Sequence, residues 1–290
     1  MGVIIVGNGP AGVSAALYTV RASLKTTIIG AGLGALGTTS AVENYYGFPT
    51  PISGSDLVHN GISQARRLGA EIIEAEVVGL KTNEKGFIVE TSEAEYHGNA
   101  VILATGASRA KPKWTGFDSF EHKGVSYCAV CDAFFFKGKD VAVVGSGAYA
   151  LQEARVLLPI ANSVTVCTDG APITVEFPLE VRVIEHSVEA LTCEEGKVRL
   201  GAIQFKNGTS IDVSGLFVAL GIAGSTALAQ KIGATIGGNN KDEIVVNERM
   251  HTSIPGLFAA GDCTGGMKQI VKAVYEGALA GTEAVIQAQE

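Results

Sequence analysis

Short apolar runs, each ended by glycine and followed by a helical period, set the rhythm of this chain. Gly2 to Val6 reads as a buried strand and Gly7-Asn8-Gly9-Pro10-Ala11-Gly12 as the turn that ends it. Val13 to Ala22 then reads as an alanine-rich amphipathic helix and Lys25 to Ile29 as a β-branched second strand. The pattern recurs as Asp140 to Val144, Gly145-Ser146-Gly147-Ala148-Tyr149-Ala150, a helix through about Leu158, and Ser163 to Cys167. In such a β-α-β unit the first glycine permits the tight turn, the second lets a pyrophosphate approach backbone N–H groups, and the third lets helix and strand pack closely. The order strand, turn, helix, strand is more specific than glycine spacing alone. Two such units predict an α/β chain with two Rossmann-like, three-layer ββα, dinucleotide-binding-type domains. Further on, Phe217-Val218-Ala219-Leu220-Gly221 and Leu257-Phe258-Ala259-Ala260-Gly261-Asp262 read as apolar strands ending in glycine. A Gly-Asp ending can set a carboxylate against a sugar hydroxyl, and a helix from Gln269 to Gln287 closes the chain.

Composition adds to this picture. The 290 residues are 47% hydrophobic and 18% charged, which excludes a disordered chain. Glycine is the outlier, at 37 residues or about 13% against a usual ~7%, with 8 prolines and no G-X-Y period. The excess predicts tight turns and close backbone approaches rather than a fibrous or low-complexity chain. A net charge of −7 without a Lys/Arg run argues against nucleic-acid binding. The first residues lack the basic stretch and cleavage site of a signal peptide, and no apolar run reaches the 18 residues of a membrane span. Five cysteines, an odd number in a large chain, point to a reducing compartment, so a cytoplasmic location is expected.

Between the two fingerprints stands Cys128-Ala129-Val130-Cys131-Asp132, followed by Ala133 and three phenylalanines. Two thiols at this spacing can close a small disulfide ring, and a helix start lowers the pKa of an exposed thiol. Half of a zinc site and a pair of buried thiols are the other readings. Zinc wants about four ligands, whereas Cys167, Cys193 and Cys263 are scattered singly and His122 has no partner at ligand spacing. No metal is expected.

With these residues in view, the chain resembles the low-molecular-weight thioredoxin reductases over essentially its whole length. The matching stretches are the first glycine turn, Val42-Glu43-Asn44-Tyr45-Tyr46-Gly47-Phe48-Pro49, Ala104-Thr105-Gly106-Ala107, Ser126-Tyr127-Cys128-Ala129-Val130-Cys131-Asp132, and Gly261-Asp262 with Lys268-Gln269-Ile270. The resemblance implies a homodimeric flavoprotein with a discontinuous FAD domain, 1–110 joined to 215–290, and an inserted redox domain, 111–214. It implies that Cys131 faces the flavin, that Cys128 attacks the disulfide of thioredoxin, and that Asp132 moves protons during exchange. FAD would lie against Gly7, Gly9, Pro10, Ala11 and Gly12, with Ala104, Thr105 and Gly106 nearby. Gly261 and Asp262 would hold its ribityl or pyrophosphate region, and Asn44 and Gln269, flanked by Lys268 and Ile270, would approach the isoalloxazine. Chemistry independent of the family agrees on Asp132, because a carboxyl beside a dithiol can protonate a leaving thiolate; an ordinary acid near a helix start is the plainer reading.

The second fingerprint departs from the family. NADPH-dependent members follow its second strand with a His-Arg-Arg type cluster that grips the 2′-phosphate. Here no Lys or Arg occurs from Val164 to Val181, while Asp169, Glu176 and Glu180 are acidic. Asp169, 24 positions after Gly145, resembles a reader of a ribose 2′-OH and keeps NADH open, although Tyr149 places a bulky residue in the turn. At the first site Gly30-Ala31-Gly32-Leu33-Gly34 stands where an acidic ribose reader is expected, so backbone groups would hold the adenosine half of FAD.

The branch matching these losses is the ferredoxin-dependent flavin thioredoxin reductases, in which flavin accepts single electrons and passes a pair to the disulfide. The expected partners are therefore thioredoxin and, as donor, reduced ferredoxin. Arg109, Lys111, Lys113 and Lys123 form the densest basic stretch for an acidic ferredoxin. An NADH- or NADPH-dependent reductase, a dithiol oxidase of the same fold that passes electrons to oxygen, and a non-catalytic flavin sensor are the alternatives. Retention of both cysteines and Asp132 speaks against the sensor. A swing of the inserted domain is expected, with hinges near Ala107–Gly116 and Val213–Leu216.

Overall fold

The computed structural model describes residues 2–106, 112–121, 123–127, 129–193, 198–220, 224–238 and 243–289, the side chains of Val130, Cys131 and Gln289 excepted. Its α-helices are α1 (Pro10–Arg21), α2 (Gly54–Arg67), α3 (Ala129–Asp132), α4 (Ala148–Leu157), α5 (Ser225–Lys231) and α6 (Ile270–Gln289). The chain divides into two compact units, 1–109 with 224–290, and 110–223. None of the described helices is long and apolar enough to cross a membrane.

The first unit is built on a five-stranded parallel sheet in the order Leu257–Ala259, Ala100–Leu103, Gly2–Val6, Lys25–Gly30, Glu71–Glu74. Side chains alternate across a strand, and here Val3 and Ile5 join one core with Ala11, Ala15 and Ala16 of α1 and Ala280 and Ala284 of α6. Ile4 points the other way, against Gly98 of the antiparallel strands Val77–Asn83, Gly86–Thr91 and Glu95–Gly98. These are the three layers. α1 begins at Pro10 rather than at Val13, because proline has the φ of a first helical turn and its missing N–H costs nothing there.

Part of the glycine excess lies in the crossing of α1 and α6. A Cβ at Gly277 would stand 2.1 Å from the Ala11 carbonyl oxygen, and one at Gly281 2.5 Å from that of Ala15. Backbone cannot yield as a flexible side chain does. Gly277→Ala is therefore expected to cost about 1–3 kcal/mol and to lower the midpoint of thermal unfolding by a few degrees. An unchanged midpoint would show that the helices separate freely.

The second unit repeats the plan. Its parallel sheet runs Arg182–Ile184, Ser163–Cys167, Asp140–Val144, Gly215–Val218, Val125–Ser126, beside the antiparallel strands Val188–Cys193, Leu200–Phe205 and Ser210–Asp212. Ala142, Val144 and Leu216 pack with Leu191, Leu200, Ile203 and Phe205 in its core. The boundary expected at 214/215 moves here. Gly215–Val218 pairs with Asp140–Val144 and with Val125–Ser126, so it completes the second unit's sheet rather than joining the first unit. The hinge expected at Val213–Leu216 is corrected for the same reason: Val213 donates to Gly201, Ser214 to Asp140 and Leu216 to Gly124, and Val213 and Leu216 are buried. Ala107, Arg109, Lys111, His122, Cys128 and Gly221 lie outside the described residues.

Candidate functional site

In the first unit the turn after Gly2–Val6 is shaped by contacts that only glycine tolerates. Gly7 has φ +116°, and a Cβ on it would stand 2.2 Å from the Ala104 carbonyl oxygen; one on Gly12 would stand 1.9 Å from the Gly7 oxygen. Gly9 is different: among the described residues no atom lies within 4 Å of its Cβ position and no side chain caps the start of α1. An open glycine beside the first amides of a helix is a cradle for a pyrophosphate. Pro10 and Ala11 begin that helix, and a Cβ on Gly261 would lie 3.0 Å from the Ala11 Cβ, so the Gly261-Asp262 turn adjoins it. The loop after Lys25–Gly30 is tied to the same turn. Asn8 Nδ2 donates to the Gly32 carbonyl at 2.9 Å, and a Cβ on Gly30 would meet Asn8 Cγ at 2.8 Å, leaving no room there for an acidic side chain. The residues present fit FAD.

Two of the remaining expected residues of this unit, Thr105 and Gly261, meet side chains that sequence reasoning missed. Thr105 and Ser225 are laced by three hydrogen bonds: Thr105 N–H to Ser225 Oγ at 3.0 Å, Ser225 N–H to Thr105 Oγ1 at 2.7 Å, and hydroxyl to hydroxyl at 2.8 Å. Gly106 follows with φ +85°. Glu276 accepts the Gly261 N–H and the Thr264 hydroxyl, both at 2.8 Å, while Lys272 donates to the Gly261 carbonyl at 2.8 Å and pairs with Glu276 at 3.0 Å. This pair on α6 holds the turn that presents Asp262. Lys272 and Glu276 stand four apart, the spacing of one helix face, but nothing local says that they face this turn. Asn44 Nδ2 donates to Gln269 Oε1 at 2.9 Å across 225 residues of sequence. Lys268 is exposed and Ile270 starts α6. Burial pushes the Cys263 thiol, next to Asp262, up to about 11, which keeps it protonated and unreactive.

In the second unit α3 contains Cys131 and Asp132. Asp132 Oδ2 accepts the Ser126 hydroxyl at 2.7 Å, and Tyr127 donates its hydroxyl to Glu121 at 2.7 Å. Phe136 packs edge-on against Phe217, whereas Phe134 and Phe135 are 77% and 67% exposed. The second glycine turn copies the first up to a point. A Cβ on Gly145 would stand 2.2 Å from the Ala219 oxygen, just as Gly7 stands to Ala104. Its middle glycine is not open, however. Thr174 Oγ1 lies 3.3 Å from the Cβ position of Gly147, held by a 3.0 Å bond from Thr174 N–H to the Ser146 carbonyl. Asp169 Oδ1 accepts the Val188 N–H at 2.6 Å and Oδ2 the Trp114 indole N–H at 3.1 Å. Tyr149 does not obstruct the turn as expected: it lies inside α4, 4% exposed.

A family model described as pyridine nucleotide-disulphide oxidoreductase matches residues 1–277. The thioredoxin reductase of Aquifex aeolicus (strain VF5) is 38% identical over 278 residues, covering 90% of this chain and 84% of the relative. Among solved structures, the atypical thioredoxin reductase TRi from Desulfovibrio vulgaris Hildenborough superposes with a TM-score of 0.90 at 35% identity, covering 99% of this chain and 98% of its own. A ferredoxin-flavin thioredoxin reductase from Clostridium acetobutylicum does so with a TM-score of 0.73 at 29% identity, over 99% and 98%. The open glycine turn beside Asp262 and the Cys-Ala-Val-Cys motif, on this fold, define a flavin disulfide oxidoreductase. The chain belongs to the low-molecular-weight thioredoxin reductase family, and its cofactor is FAD.

Proposed function

We propose that the protein reduces the active-site disulfide of a thioredoxin, drawing electrons from reduced ferredoxin rather than from NADPH. The observation that carries the donor assignment is the second glycine turn, where Thr174 stands against Gly147 and the Asp169 carboxylate is engaged by Val188 and Trp114. FAD, when bound at the first turn, supplies an electron pair to a disulfide after accepting electrons one at a time. Gly7, Gly9, Pro10, Ala11, Gly12, Thr105 and Asp262 would hold it, with Asn44 and Gln269 toward its ring.

The protein's own residues carry out the exchange. The Cys128 thiolate attacks one sulfur of the partner disulfide, forming a mixed disulfide and releasing a partner thiolate. The Cys131 thiolate then attacks the Cys128 sulfur, so a Cys128–Cys131 disulfide forms and the second partner sulfur leaves. Asp132, oriented by the Ser126 hydroxyl, delivers a proton to a departing thiolate. Exposed Phe134 and Phe135, three and four residues beyond Cys131, offer an apolar landing for the partner. Lys113 and Lys123 are exposed and belong to the basic stretch proposed to receive an acidic ferredoxin. The assembly proposed is a homodimer, in the cytoplasm.

Anaerobic incubation of the FAD-loaded protein with oxidised thioredoxin and reduced ferredoxin is expected to yield both thioredoxin thiols, counted by a thiol reagent. Rapid oxygen consumption with small dithiols, peroxide as product and no thioredoxin reduction would instead establish the oxidase.

A further inference from the structure

α4 begins at the second glycine turn, yet its buried face serves another segment of the same unit. Tyr149 and Glu153 stand about one helical turn apart on that face, 4% and 1% exposed. Ala150, Ala154 and Leu157 make the neighbouring buried positions apolar. The Tyr149 hydroxyl donates to the Tyr127 carbonyl at 3.1 Å, and the Glu153 carboxylate accepts the Ala129 backbone N–H at 2.6 Å. In sequence, the two backbone groups they hold lie on either side of position 128. A buried carboxylate is costly to keep unless it is bonded, and here the bond leads to the dithiol motif.

We propose that Glu153, aided by Tyr149, is a positioning residue for the Cys128/Cys131 pair: the helix that would serve a pyrophosphate in a nucleotide-binding unit holds the thiol-bearing segment instead. The inference rests on reading Cys128 and Cys131 as the redox pair. Bonding the Tyr127 carbonyl and the Ala129 N–H to one packed helix holds the backbone that carries the dithiol motif. The Glu153 charge, bonded to the next amide, also opposes a second negative charge on the pair. The other titratable groups of this segment are Asp132, bonded to Ser126, and Tyr127, bonded to Glu121.

Glu153→Gln retains an acceptor for the Ala129 N–H and removes the charge. In the reduced, FAD-loaded protein, iodoacetamide labelling of Cys128 across pH, read by mass spectrometry, is expected to shift its midpoint down by about one unit, roughly tenfold more thiolate at a given lower pH. Tyr149→Phe retains the packing and loses one hydrogen bond. Its thioredoxin turnover is expected to fall about fivefold with the flavin content unchanged and the melting midpoint lowered by only a few degrees. Wild-type behaviour in either variant's own readout overturns the joint assignment. If the unmodified protein forms no Cys128–Cys131 disulfide on oxidation, the redox-pair reading fails and takes this one with it. If the pair forms and neither variant changes, only the positioning role fails.

Discussion

Under anaerobic conditions NADPH is expected to leave the flavin of this protein oxidised, while reduced ferredoxin bleaches it. The 2′-phosphate of NADPH needs cationic donors, and each charge-assisted hydrogen bond contributes about 1.5–3 kcal/mol. Between Val164 and Val181 no Lys or Arg occurs, and the side chains of Asp169, Glu176 and Glu180 carry the same sign as the phosphate. Lacking two such bonds alone weakens binding by roughly 10² to 10⁴, before repulsion is added. The second turn also differs from the first in that Thr174 Oγ1 stands 3.3 Å from the Cβ position of Gly147, where Gly9 has no described atom within 4 Å. NADH avoids the phosphate problem but would have to draw Asp169 away from Val188 and Trp114, so its bleaching is expected to be slow. Stopped-flow absorbance of the flavin decides the matter. Rapid bleaching by NADPH would overturn the donor assignment.

Cys128→Ser is expected to abolish thioredoxin reduction, by about 1,000-fold or more, while the flavin is still reduced by its donor. No buried thiol can replace it. Burial pushes Cys167 up to about 12 and Cys263 to about 11, which leaves roughly one thiolate in 10⁵ and one in 10⁴ at pH 7. Cys131→Ser should behave differently, accumulating the mixed disulfide because the resolving thiol is gone. The covalent adduct is read by mass spectrometry. Unchanged thioredoxin turnover in Cys128→Ser would remove this residue from the mechanism.

The sequence by itself determined the two β-α-β units almost to the residue. Strands Gly2–Val6, Asp140–Val144 and Ser163–Cys167 fall where expected, because apolar runs, glycine turns and β-branched segments act over a few residues. Only the tertiary structure decided what lies across the chain. Gly215–Val218 belongs to the second unit because it pairs with residues near 141, a partnership that no local pattern encodes. Ser225 meets Thr105 from 120 positions away, and Glu153 reaches Ala129 from 24. The two fingerprints look alike as strings, yet Gly9 is open and Gly147 faces Thr174. Periodicity specifies which face of an element is buried; which polar groups meet there depends on how distant segments pack, and that packing separates the turn at Gly9 from a helix whose buried face bonds the backbone of Tyr127 and Ala129.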